Sequence, residues 1–140
     1  MAAAAASRSL EAALKAAGSR KPEKYVRRNE VVEGALDEHE FDIALANGTP
    51  QLGVLAMSFE SGNRAELARE VRANAWTIDD VQNTKGGIPI SIVTLPPLSG
   101  HSKTYDHAVD LFQSLEAEIV KENELDPWAE EVAEEYYDVS

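Results

Sequence analysis

The chain contains no cysteine, which removes disulfides, thiolate nucleophiles and cysteine-based zinc sites together. No apolar stretch approaches the 18 or more residues that a membrane-spanning helix requires. The glycines include Gly34, Gly86 and Gly87 but never fall into a G-x-G-x-x-G or P-loop spacing, so no phosphate-cradling loop is readable. Positive charge is scarce: 13 Lys and Arg face 25 Asp and Glu, for a net charge of −12. That balance disfavours non-specific binding to nucleic acid or anionic membrane, both of them polyanions. The scarce cations are also segregated. Residues 1–28 hold Arg8, Lys15, Arg20, Lys21, Lys24, Arg27 and Arg28 against Glu11 and Glu23, or 7 − 2 = +5. This basic segment is the one place where nucleic acid could still bind. Residues 116–138 hold ten acids against Lys121 alone.

What is present fits a folded domain. The chain has 140 residues, 44% of them hydrophobic, enough for a single core. Met1–Ala6 is low in complexity, and Glu11 argues against an organelle-targeting peptide, which is poor in acids. A first helix is expected over Ser9–Ala17, with Gly18 as its C-cap. A first strand is expected over Val31–Leu36, followed by a polar turn, Asp37–Glu40. The run from Phe41 to Phe59 reads as a hairpin around Asn47-Gly48, the pair that best tolerates the positive φ of a type I′ turn. On its first strand, Phe41–Ala46, alternation puts Phe41, Ile43 and Leu45 on one face. Its second strand, Gln51–Phe59, has little polar content and reads as central.

Asn63 is a plausible N-cap with Glu66 as its capping-box partner. The helix that follows shows Leu67, Val71, Ala75 and Ile78 at helical spacing and closes at Gly86-Gly87. Ile88–Leu95 is a β-branched strand, Pro96–Gly100 a loop and Thr104–Leu115 a helix. Ala117–Val120 is a candidate fifth strand. Asp126-Pro127 opens a last helix, Trp128–Tyr137, as N-cap and first-turn proline. The expected fold is α/β, a mixed four- to five-stranded sheet flanked by helices in the order α-β-β-β-α-β-α-(β)-α. Residues 1–8 are expected as a flexible N-terminus, 9–125 as one domain, and 126–140 as an acidic helix packed on the domain or a partner.

The order α-β-β-β-α-β over roughly residues 9–95 resembles the core of the restriction-endonuclease-like, or PD-(D/E)XK, superfamily. The stretches FDIALANG, SFE and YDHAVDLF also look like those of uncharacterised bacterial and phage proteins with a similar hairpin. The nuclease resemblance implies an acid on the second strand, and an acid and a lysine two apart on the third, holding Mg²⁺ and activating water. Asp42 fits the first position. The third strand has no acid and no lysine from Leu52 to Phe59, Glu60 follows at its end, and the next helix offers Arg64, Arg69 and Arg72 rather than lysine. The resemblance therefore implies a core without a complete active site. Asp42 and Glu60 are the candidate metal ligands, and a divergent metal-dependent nuclease is the enzymatic alternative. An acid among apolar strand residues more often accepts hydrogen bonds or faces solvent.

The other chemistry-bearing residues are scattered. His39 stands between two glutamates in the polar turn, which favours exposure. His101 and His107, near Asp106 and Asp110, are six apart rather than the four that would align them on one helix face. His101, Ser102 and Asp106 are triad residue types without a nucleophile elbow. Trp76 reads as a core or interface residue. Trp128, Val132 and Tyr136 fall at i, i+4 on the acidic last helix and are the candidate partner-binding stripe. The expectation is a non-catalytic binding or accessory protein, cytoplasmic, without a cofactor. It would act on a protein partner or as a homo-oligomer, its acidic surface able to imitate DNA.

Overall fold

The computed structural model describes residues 2–60, 63–84, 87–96 and 102–137. The elements are α1 (Ala2–Ala16), β1 (Val26–Glu33), β2 (Glu38–Asn47), β3 (Thr49–Ser58), α2 (Arg64–Gln82), β4 (Ile90–Leu95), α3 (Ser102–Ser114), β5 (Glu118–Lys121) and α4 (Leu125–Tyr136). The protein is α/β, with a mixed five-stranded sheet in the spatial order β1-β2-β3-β4-β5. The first three strands pair antiparallel, and β3-β4 and β4-β5 pair parallel. Helices are needed to return the chain between parallel strands, and α2 and α3 do so on the same face.

Two cores follow. On one face α1 and α4 bury Leu10, Leu14, Trp128 and Val132 against Ile43, Val54 and Val93. On the other, α2 and α3 bury Leu67, Ile78 and Phe112 against Phe41, Met57 and Ile92. β3 lies between them, alternating Leu52 and Val54 to the first core with Leu55 and Met57 to the second.

β2 departs from strict alternation. Phe41 belongs to the α2/α3 core, whereas Ile43 and Leu45 belong to the α1/α4 core, so the three do not share a face as alternation predicts. β1 switches at the same level, Val26 facing one core and Val32 the other. The cause sits on β1. Asn29 has φ +52, the left-handed conformation that asparagine tolerates better than most residues. It interrupts pairing opposite Asp42 and leaves the same register on either side, Arg28 with Ile43 and Glu30 with Phe41. Pairing of β2 to β3 stops at Ile43 and Val54. There the Asp42 carboxylate accepts a hydrogen bond from the Ala56 N–H at 2.8 Å, standing in for a backbone acceptor. The Phe41 ring then lies over Gly53, where a Cβ would overlap it.

Other differences have local causes. α1 begins at Ala2, so residues 2–8, expected to be flexible, form its first turns. Ala2, Ala3 and Ala6 are buried because small side chains let helices approach closely. β1 starts at Val26, and the turn after it is Gly34–Asp37 rather than Asp37–Glu40. The hairpin forms where expected, but not through a type I′ turn. Only Gly48 has positive φ, at +82, while Asn47 pairs with Thr49, and the register shifts between Leu45 and Ala46. Asn63 caps α2 by accepting from the Glu66 N–H at 2.9 Å. α2 ends at Gln82. Ser61, Gly62, Gly86 and the loop 97–100 lie outside the described residues. Asp126 lies in the first turn of α4 and caps nothing; it accepts instead from the Ser9 hydroxyl at 2.9 Å, joining the last helix to the first.

Gly48 has open space around it, so a side chain there would meet no clash and only the backbone conformation would resist it. Gly48→Val is expected to lower stability by about 1–2 kcal/mol. Denaturant melts of the variant and parent check this, and coincident curves would place the turn elsewhere.

Candidate functional site

The most connected polar cluster joins α2 to the β1–β2 turn. Asp80, in the last turn of α2, is buried, and so is His39 on β2. His39 Nε2 lies 2.7 Å from Asp80 Oδ2, the one ion pair among the described residues. An ionised carboxylate only accepts, so Nε2 carries the proton and donates. The other ring nitrogen, Nδ1, lies 3.2 Å from the Thr77 hydroxyl, within hydrogen-bond distance. Trp76 meets the imidazole edge-on, with centroids 4.6 Å apart. The Asp80 carboxylate also accepts from the N–H groups of Leu36 at 2.8 Å and Asp37 at 3.1 Å, while its main-chain carbonyl takes the Ala35 N–H. Burial alone would raise the Asp80 carboxyl. The hydrogen bonds from His39, Leu36 and Asp37, with the imidazole's charge, outweigh it and hold the group below its ordinary range.

His39 is thus not exposed as its glutamate neighbours suggest. It is on a strand rather than in a turn, on the face of β2 turned toward α2. Thr77, His39 and Asp80 have the order of a hydroxyl–imidazole–carboxylate relay. Thr77, however, sits within α2, where neighbouring N–H groups bond along the helix and offer no oxyanion hole. The trio acts as a strut that pins the turn. Gly34 is part of it, because a Cβ there would fall on the Asp80 carboxylate.

A second cluster surrounds Asp42. Glu70, on the exposed side of α2, has its carboxyl raised by partial burial and by the negative charge of Asp42. Asp42 therefore has an acidic neighbour, but it is Glu70 and not Glu60. Glu60 is exposed four residues beyond Ala56, roughly 13 Å along the chain at strand spacing. Among the described residues no three or more His, Asp and Glu side chains converge as a metal site.

A third cluster lies at the β5 edge. Glu118 has its carboxyl raised by partial burial and by Glu131 and Glu135 of α4. The Tyr136 hydroxyl is raised by burial and then by Glu135 and Glu118. Glu118, Glu124, Trp128 and Glu131 line a hollow of about 160 Å³. Trp128 and Val132 are buried inside the domain, and Tyr136 is half-buried against the same core. Trp128 Nε1 is buried without a hydrogen-bond partner.

His107 is exposed on α3; His101 and the Ser102 side chain lie outside the described residues. Sequence reasoning missed Glu70, Thr77 and Asp80. Glu70 and Thr77 carry no local signal. Asp80 does carry one: an acid in the last turn of a helix opposes the macrodipole, and α2 has no basic residue there to offset it. Such an acid calls for a partner elsewhere in the fold.

No protein-family model matches this chain, and comparison with curated proteins finds no match.

The sign of the Asp80 effect is fixed. Its folded-state pKa lies below the unfolded one, so its stabilisation is present above the ordinary aspartate range and is lost as pH falls through the folded value. Unfolding free energy is expected to drop below about pH 4, and Asp80→Asn to flatten that part of the profile; parallel profiles would refute the strut. Glu70 has the opposite sign, because its raised carboxyl makes ionisation a cost to folding as pH rises through the glutamate range. Glu70→Gln should raise the melting temperature at pH 7, with the gain vanishing toward pH 3, as thermal melts at both pH values will show.

Proposed function

We propose that this chain is a non-catalytic binding protein that engages a basic protein partner through its acidic β5–α4 edge. The observation that supports this reading is the cluster of Glu118, Glu131 and Glu135. Partial burial and then the negative charges of Glu131 and Glu135 raise the Glu118 carboxyl, a folding cost that an approaching cationic segment would remove. β5 is the last strand of the sheet, and an edge strand offers unpaired main-chain groups to an extended segment. Arginine or lysine side chains on that segment would face the three carboxylates. Trp128 and Val132 serve the interaction from below, by holding α4 against the sheet. A DNA-binding protein is one class of basic partner, met through imitation of a phosphate backbone. The cytoplasm is the compartment this reading assigns.

A second reading, a divergent metal-dependent nuclease, draws on Asp42 and Glu70. Two neighbouring carboxylates are the start of a Mg²⁺ site, but Ala56 and Ser58, at the level of Asp42 and beyond it on β3, bring neither an acid nor a lysine.

The first reading is tested with a short arginine-rich peptide, its binding followed by fluorescence anisotropy. Affinity should fall as salt rises and should be lost in the combined variant Glu118→Lys, Glu131→Lys, Glu135→Lys. Equal binding by the folded variant would remove the acidic edge from the function. DNA cleavage with Mg²⁺ or Mn²⁺ that disappears in Asp42→Ala would establish the second reading in its place.

A further inference from the structure

Beyond residue 28 the chain has six cations: Arg64, Arg69, Arg72, Lys85, Lys103 and Lys121. Three of them, Arg64, Arg72 and Lys103, line one groove of about 450 Å³ between α2 and α3, and His107 joins them. The floor is apolar, made by Ala68 and Val71 of α2 and Leu111 of α3, and Thr104 adds a hydroxyl. None of the lining residues carries a carboxylate. Among the described residues none of the three cations forms an ion pair or a side-chain hydrogen bond. In a chain with 25 acids, a gap in the carboxylates around three unpaired cations is a marked local reversal of charge.

The layout is directional. α2 and α3 each return the chain between parallel strands, so they run side by side in the same direction. Arg64 and Lys103 therefore stand at the same end of the groove, Ala68 and His107 one turn further on, and Val71 and Leu111 beyond those. Ala68, the smallest of the lining side chains, leaves the middle open.

We propose that this groove binds a small anion with an apolar body, such as a carboxylate or phosphate monoester on an alkyl or aryl group. Arg64 and Lys103 hold the anionic head, with Thr104 as a further hydrogen-bonding group. Ala68, Val71 and Leu111 receive the apolar part, and Arg72 bounds its far end. An arginine presents a fork of donors suited to carboxylate or phosphate oxygens. The mixture of an apolar floor with a few charged groups is the usual make-up of small-molecule sites of this size. The site is on the opposite face of the sheet from α4 and does not depend on the acidic edge.

The test uses the full chain and four probes, followed by calorimetry and by chemical shifts of the groove residues: octanoate, octyl phosphate, octanol and inorganic phosphate. At least one octyl anion should bind, and whichever is tighter identifies the head group. Octanol and inorganic phosphate should each bind about tenfold more weakly or worse, the loss expected when a charged hydrogen bond or an apolar contact is missing. Arg64→Ser with Lys103→Ser, both at exposed positions, should abolish binding of the head group, and Ala68→Trp should fill the groove. Thermal melts confirm that each variant is folded. The proposal is overturned if neither octyl anion binds, if inorganic phosphate binds as tightly as octyl phosphate, or if binding survives in the folded variants. Shifts confined to residues outside the groove would overturn it equally.

Discussion

The hydrogen bond from the Ala56 N–H to the Asp42 carboxylate holds the point on which the sheet turns. β2 leaves β3 at this level, and without a substitute acceptor a main-chain donor beside the core would go unpaired, which costs about 1–3 kcal/mol. With the substitute in place, β2 can present Ile43 and Leu45 to one pair of helices and His39 and Phe41 to the other. Asn29 makes the matching turn on β1. The positions of His39 over α2 and Phe41 over Gly53 both follow from this switch. The strut of His39, Thr77 and Asp80 exists because the outer half of the β1–β2 hairpin has rotated toward α2.

Much of the architecture was legible because it depends on local patterns. Asn63 as a cap, the β-branched run that becomes β4, and the helical spacing of Leu67, Val71 and Ile78 each report their own surroundings. The order of elements followed from them, as did the central place of β3, whose residues are apolar on both faces. The face switch was not legible. A period-two reading assumes an uninterrupted strand, and Asn29 breaks it from another strand through one torsion angle. The same limit hid His39, whose glutamate neighbours describe the exposed side of β2 and say nothing of the side it faces. Of the candidate site residues, Asp42 was visible as an acid among apolar neighbours. Its neighbour Glu70 was not, because they meet through the packing of α2 on the sheet. The stripe of Trp128, Val132 and Tyr136 was legible as an apolar face, and the structure places its first two members in the protein's own core.

Charge is distributed as unevenly in space as along the chain. One outer strand of the sheet, β1, carries exposed Arg27 and Arg28. The opposite one, β5, carries Glu118 beside the glutamates of α4. The groove between α2 and α3 is a third territory, cationic within an acidic protein. A net charge of −12 therefore averages over regions of opposite sign.

The pairing of α1 with α4 has a consequence for how the protein is made. Ser9 and Asp126, which touch across these helices, are 117 positions apart. At a synthesis rate of about 5–20 residues per second, α1 leaves the ribosome on the order of ten seconds before its partner. During that interval Leu10 and Leu14 have no helix to pack against, and the core that α1 and α4 share cannot be completed. An alanine-rich helix with Arg8 and Lys15 on its surface is well suited to such a wait. It is weakly adhesive, and it carries charge opposite to that of the glutamate-rich segment it will eventually meet.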